Sequence, residues 1–195
     1  MEWIGMATPC MLVGTREMRF GQAFTIKAEV KCDVIGGKQV VISKRVPVSH
    51  GNRPGVILLL HGSCVELMSF EDGGDSWITA RTYSKVIKVG HKHEILAFRE
   101  GKEARIYVNG IDQTNPKYDK IHAGDLNCDC DAFAGAQVYD KVAAQEPFKG
   151  RIFMIGAYEE SYTQDARYIR LRRNPNVVPL SQLPELAERI GMPRR

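Results

Sequence analysis

The sequence predicts an all-β chain folded as a two-sheet antiparallel β-sandwich with a short C-terminal helix. Three observations predict it. Apolar and polar residues alternate with period two over Phe24 to Cys32. Further strand-length segments recur along the chain, separated by glycine, asparagine and aspartate turns. Helical periodicity is absent until the last fifteen or so residues. Strands at this spacing, without interleaved helices, build sandwiches or barrels.

Phe24-Thr25-Ile26-Lys27-Ala28-Glu29-Val30-Lys31-Cys32 puts every apolar side chain on one face, the mark of a strand with one buried face. Gly36-Gly37 is a turn, and Gln39 to Ser43 a short β-branched strand. Pro47 to Pro54 reads as a loop. Gly55 to His61 is continuously apolar, as expected of a central strand, and Val65 to Phe70 follows. Trp77 to Tyr83 is the next strand. Ile95–Arg99 and Ala104–Val108 form a hairpin around Glu100-Gly101-Lys102. Asn109-Gly110 is a tight turn, because both residues tolerate positive φ. Residues 112–135 read as irregular, Val138 to Ala144 is ambiguous, and Arg151–Ala157 and Arg167–Leu171 read as late strands. Near the end, Ser181 caps a helix with Leu183, Leu186, Ala187 and Ile190 on one stripe, stopped by Gly191.

The chain has 195 residues, enough for one well-buried core and short for two. Its apolar runs are far below the roughly 20 residues that cross a bilayer, so a membrane is not expected as a partner. The N-terminus does not read as a signal peptide. The five cysteines are therefore expected to be reduced thiols. The net charge of +4 sits in the tail: residues 166–195 hold seven arginines against two glutamates, leaving the body near neutral. An Arg-rich arm on a neutral body suits an anionic neighbour. No specific nucleic-acid partner is expected.

Several segments, in order, resemble the concanavalin A-like, laminin G-like lectin/glucanase superfamily. They are Phe24 to Lys31, Gln39 to Lys44, Val89 to Ile95, Arg105-Ile106-Tyr107-Val108-Asn109-Gly110, Phe148 to Ile152, and Ile155-Gly156-Ala157. The resemblance covers roughly residues 20–172. Lys92 stands where the family usually has Trp. Gly135 to Lys141 looks like a final strand yet precedes Ile155-Gly156-Ala157. The resemblance implies a jelly-roll sandwich over residues 1–172 and a basic arm over 173–195. It also implies binding rather than catalysis. Family members include lectins, adhesion modules and phage structural proteins, and Arg173-Asn174-Pro175 resembles a C-terminal feature of the phage versions.

Candidate sites follow from residue chemistry. Asp125, Asn127, Asp129 and Asp131 alternate along one segment and could give calcium several of its oxygens; the alternative is a polar surface loop. No other cofactor is expected. Cys128-x-Cys130 with His122 lacks the second pair a zinc site needs. His91-x-His93 could pair on a metal, but two solvent-facing histidines beside a turn is the plainer reading. Trp77, Tyr83, Tyr107 and Asn109 could bind a glycan, aromatic faces packing on sugar rings. Val56 to Gly62 imitates an α/β-hydrolase strand without the required serine elbow. Glu66, Glu71, Asp72 and Asp75 offer carboxylates without a glycosidase triplet, so an enzyme is not expected. Arg170, Arg172 and Arg173 with the Leu183, Leu186 and Ile190 stripe form a candidate surface for other subunits of an assembly. The expected role is a virion structural or decoration protein of a phage capsid or tail, located in the virion. A free-standing carbohydrate-binding lectin or adhesion module, cytoplasmic or extracellular, is the alternative.

Overall fold

A computed structural model describes residues 10–12, 19–45, 54–70, 76–118, 126–128, 130–139 and 143–158. The predicted strand at 167–171, the C-terminal helix and the 173–195 arm lie outside the described residues. So do most of the predicted 47–54 loop and His122.

Among the described residues the strands are β1 Cys10–Leu12, β2 Ala23–Cys32, β3 Lys38–Arg45, β4 Gly55–His61, β5 Cys64–Phe70, β6 Ser76–Arg81, β7 Lys92–Glu100, β8 Glu103–Val108, β9 Ile111–Asp112, β10 Ala132–Ala134, β11 Gln137–Tyr139, β12 Ala143–Gln145 and β13 Gly150–Tyr158. They build two antiparallel sheets, one of six strands ordered β1-β10-β3-β4-β5-β6 and one of five ordered β13-β2-β7-β8-β9. A small hairpin, β11-β12, stands apart. The two-sheet sandwich read from the sequence is the fold.

The inner faces meet in one core. β2 contributes Phe24, Ile26, Ala28, Val30 and Cys32, all fully buried, while Lys27, Glu29 and Lys31 point away. Opposite them, β4 contributes Val56, Leu58 and Leu60. The continuous apolar run of β4 has a physical reason, because its other face is buried too. Ile57 and Leu59 pack with Val40, Phe70 and Met68 in a second cluster on the outside of the six-stranded sheet. Arg45 covers that cluster, its guanidinium 3.7 Å from the Phe70 ring centre.

The core is not purely hydrocarbon. Arg99 lies opposite Phe24 on the inner face and is fully buried, its Nε–H donating to the Gly101 carbonyl at 3.0 Å. Lys44 is 1% exposed, and its Nζ donates to the Cys130 carbonyl at 2.6 Å. Both residues lie near strand ends, where the charged head can reach a backbone acceptor while the stem fills the interior.

Three expectations are corrected. Residues 112–135 are not wholly irregular, for β9 begins at Ile111 and β10 occupies Ala132–Ala134, pairing with β1 on one side and β3 on the other. β1 and β10 are only three residues long, too short for periodicity to show. Gly135 to Lys141, which looks like a final strand, instead supplies β11 to the β11-β12 hairpin. Gly135 takes φ +79°, which turns the chain out of the sheet after β10. Finally, Cys128 and Cys130 are disulfide-bonded, their Cα atoms 5.5 Å apart. Side chains two apart share one side of an extended chain, and the bend at Cys130 brings them within reach. Cys32 and Cys64 are free thiols, as expected.

Candidate functional site

One polar cluster lies on the outer face of the six-stranded sheet, built by strand register. β4 turns through Gly62, at φ +60°, into β5. That two-residue connection sets His61 opposite Cys64 and Leu59 opposite Glu66. β6 then sets Arg81 opposite Glu66. Leu59 faces outward with the second apolar cluster, so His61, Cys64, Glu66 and Arg81 share its face. A segment crossing from the other sheet completes the group. Thr114 bridges Thr82, Tyr83 N–H donates to Gln113, and Asn115 N–H donates to the Arg81 carbonyl at 2.7 Å. The Asn115 side chain then accepts from Lys117 N–H and starts a 3-10 turn, Pro116–Tyr118, that delivers Tyr118.

Glu66 is the floor, with its side chain 1% exposed. Its Oε1 lies 3.0 Å from His61 Nδ1 and 3.2 Å from Arg81 Nη1. The second guanidinium nitrogen, Nη2, is 3.7 Å from Cys64 Sγ. The Arg81 guanidinium also lies 5.2 Å from the Tyr118 ring centre, within cation–π range. A carboxylate taken out of water is costly unless it is paired and hydrogen-bonded, and here two partners hold it. Burial works against the Arg81 charge, but the Cys64 contact and the Glu66 carboxylate outweigh it, so its pKa rises above the usual guanidinium value.

The cluster combines a carboxylate acceptor, guanidinium and imidazole donors at partly exposed positions, and an aromatic ring. Those groups suit a ligand rich in hydroxyls: its oxygens for the partly exposed His61 and Arg81 donors, which the buried Glu66 orients, and an apolar ring face for Tyr118. Glycoside hydrolysis by the usual route needs two carboxylates. Glu66 is the one carboxylate this cluster holds among the described residues.

The residues expected from sequence fall elsewhere. Tyr83 is half exposed at the joint between the sheets. Tyr107 lies on the outer face of the five-stranded sheet, stacked on Phe98 with ring centres 6.2 Å apart, so one ring face is already occupied. Burial and the Asp112 charge push its hydroxyl pKa up. Asn109 closes the β8-β9 turn at φ +53°, and its side chain is spent locally: Oδ1 accepts from Glu94 N–H at 2.9 Å and Nδ2 lies 3.2 Å from His93 Nδ1. The Trp77 backbone pairs with Ser69 in β6, and its side chain lies outside the described residues. Tyr107 and Asn109 thus serve the hairpin, and the four residues are not gathered by any described contact.

Asn127 and Asp131 are partly buried in the 126–131 segment, where the Lys44 ammonium holds the Cys130 carbonyl. Asp125 and Asp129 lie outside the described residues. Among the described residues, no group of three or more His, Cys, Asp or Glu is gathered as a metal site. As a disulfide, Cys128 and Cys130 offer no thiolate to zinc. Arg170, Arg172, Arg173, Leu183, Leu186 and Ile190 all fall outside the described residues.

The histidine pair is also corrected. His91 is exposed, but His93 is 4% exposed, because its position opposite Val30 turns it inward. Its Nε2 accepts Lys88 N–H at 3.1 Å. Burial holds its pKa below the ordinary value of 6.5, against the pull of the Lys88 carbonyl, 3.4 Å from Nε2. The unfolded chain therefore binds a proton more readily at this residue. Its contribution to stability is complete above about pH 6.5 and is lost as pH falls through the lower folded value. Thermal melts at about pH 5 and pH 7.5 should show a larger acid loss for the wild type than for His93→Gln. Equal losses would contradict the buried neutral ring.

Sequence reasoning missed Arg81 and Tyr118 and named His61 and Glu66 only for other chemistry. The His61-Gly62-Ser63-Cys64 turn was a usable signal, since it places 61, 64 and 66 on one face. The Arg81 register was not, because β5 and β6 slip past each other at Leu67/Met68.

No family model matches the chain, and no curated protein matches it. Solved structures do. The Ruminococcus gnavus IT-sialidase CBM40 bound to α2,6 sialyllactose aligns with a TM-score of 0.58 at 10% identity, covering 83% of this chain and 92% of that one. The two share a β-sandwich fold. Mouse laminin α1 domains LG4-5 align at 0.57 and 11% identity, over 85% of this chain and 43% of that one. A Bacteroides ovatus chain assigned to carbohydrate binding aligns at 0.53 and 14%, over 80% and 42%. This chain thus spans under half the length of the laminin and Bacteroides chains. The neighbours are carbohydrate-binding or lectin-like β-sandwich domains, some of them parts of enzymes.

Proposed function

We propose that this chain is a non-enzymatic, lectin-like module that binds a glycan at the outer-face cluster of His61, Glu66, Arg81 and Tyr118. One observation carries the reading: a buried carboxylate is held between two partly exposed donors, with a tyrosine ring beside them. The sialyllactose-bound neighbour of the same fold supports a sugar as the ligand. A glycan array, run with and without a chelator, tests it and also tests calcium at Asp125, Asn127, Asp129 and Asp131. Tyr118→Ala is expected to weaken glycan binding at least about tenfold, the order of one lost stacking contact, with the melting temperature unchanged. A clean negative array, or binding indifferent to Tyr118, would contradict the reading.

The finer form of this reading is a virion protein that displays the sandwich outward. The Arg-rich arm supports it, with Arg170, Arg172 and Arg173 and the Leu183, Leu186 and Ile190 stripe docking on neighbouring subunits. Deleting residues 174–195 should then abolish incorporation into the particle and leave glycan binding intact. A free-standing lectin would show no particle association with or without the arm.

A further inference from the structure

At one pole of the sandwich, backbone hydrogen bonds hold several connections side by side. Gly90 N–H donates to the Cys32 carbonyl, Asp33 N–H to Lys149, Gly62 N–H to Gly37, and Val86 and Ile87 N–H to Ser63. The β2-β3 loop and the segment before β7 therefore form one surface. Residues 33–38 are all exposed, and so are residues 88–92. At its tips stand three aliphatic side chains in water: Val34 at 48% exposure, Ile35 at 38% and Val89 at 47%. These are β-branched residues at loop positions where nothing in the fold needs them. Lysines surround them. Lys38, Lys85, Lys88 and Lys149 are exposed on the same connections, against the exposed Asp33 and the partly exposed Glu146. Among the described residues none of the four is in an ion pair.

We propose that this pole docks peripherally on an anionic bilayer surface, with Val34, Ile35 and Val89 entering the headgroup region and the lysines facing anionic lipid. The pairing of the two features decides the partner. Lysines alone would suit any polyanion, and aliphatic tips alone would suit another protein. A rim of cations around protruding aliphatic side chains matches the layered chemistry of a membrane interface, charge outside and hydrocarbon beneath. The pole lies on loops, so contact would not disturb the sheets. The proposal stands independently of the glycan reading. Nor does it conflict with the absence of a membrane-crossing helix among the described residues, since interfacial docking needs none.

Co-sedimentation of the full chain with vesicles tests it, comparing phosphatidylcholine alone with phosphatidylcholine containing about 30% phosphatidylserine. Binding is expected only to the anionic vesicles, and to weaken as salt shortens the screening length. Val34→Ser combined with Val89→Ser should lower the partition coefficient at least about fivefold, and Lys38→Glu with Lys88→Glu at least about tenfold. All four positions are exposed, so unchanged thermal melts would confirm that the variants fold. No binding to anionic vesicles would overturn the proposal. Binding that ignores the serine variant, is lost with the lysines and is competed by soluble heparin would overturn it too, assigning the pole to a polyanionic polysaccharide instead.

Discussion

Arg81→Ala is expected to destabilise the fold by roughly 2–4 kcal/mol, because it strands the buried Glu66 carboxylate with His61 as its remaining partner. Urea denaturation at neutral pH should show a lower midpoint with an unchanged slope, the sign of lost stability without a change in exposed surface. The same principle predicts a rescue. Adding Glu66→Leu to Arg81→Ala removes the stranded charge and places an apolar side chain beside Leu59 and the second apolar cluster. The double variant should recover at least half of the loss. A cost below about 0.5 kcal/mol for Arg81→Ala, in the range of an ordinary surface change, would mean that Glu66 is not held as described. The rescue also separates stability from recognition, because the double variant should fold well and still fail to bind glycan.

Leu58→Ala should cost about 3–5 kcal/mol, the range for deleting a fully buried leucine where neighbours cannot close the cavity. Leu58 lies on the central strand between Ile42 of β3 and Leu67 of β5, all inward-facing. Domain stabilities are typically 5–15 kcal/mol, so one substitution would remove a large share. Leu59→Ala, one residue along and facing the smaller outer cluster, should cost less, about 2–3 kcal/mol. Denaturant midpoints of the two variants measure the difference. Equal costs would show that the outer layer is packed as tightly as the space between the sheets.

The fold was largely legible in the sequence, and the reasons are local. β2 alternates because one of its faces is solvated, β4 is apolar throughout because both of its faces are covered, and Asn109 sits where positive φ is needed. What escaped was non-local. β1 and β10 are three-residue strands defined only by their partners. The burial of Arg99 and Lys44 likewise follows from strand pairing, which turns both side chains inward.

The candidate site was legible only in part. His61 and Glu66 share a face through one short turn, which a sequence displays. Arg81 reaches Glu66 through the register of β6, and Tyr118 reaches Arg81 through the bridge between Thr82 and Thr114. Neither contact leaves a motif. The residues chosen for their chemistry alone, Tyr107 and Asn109, have it committed to Phe98, His93 and Glu94.

The most direct test is an NMR titration of the isotope-labelled full chain with the best glycan from the array. Shift changes are expected at His61 to Glu66, at Arg81 and at Asn115 to Tyr118, and to disappear in Tyr118→Ala. Saturable changes centred instead on Tyr107 and Asn109, or on the pole carrying Val34 and Val89, would contradict the site assigned here.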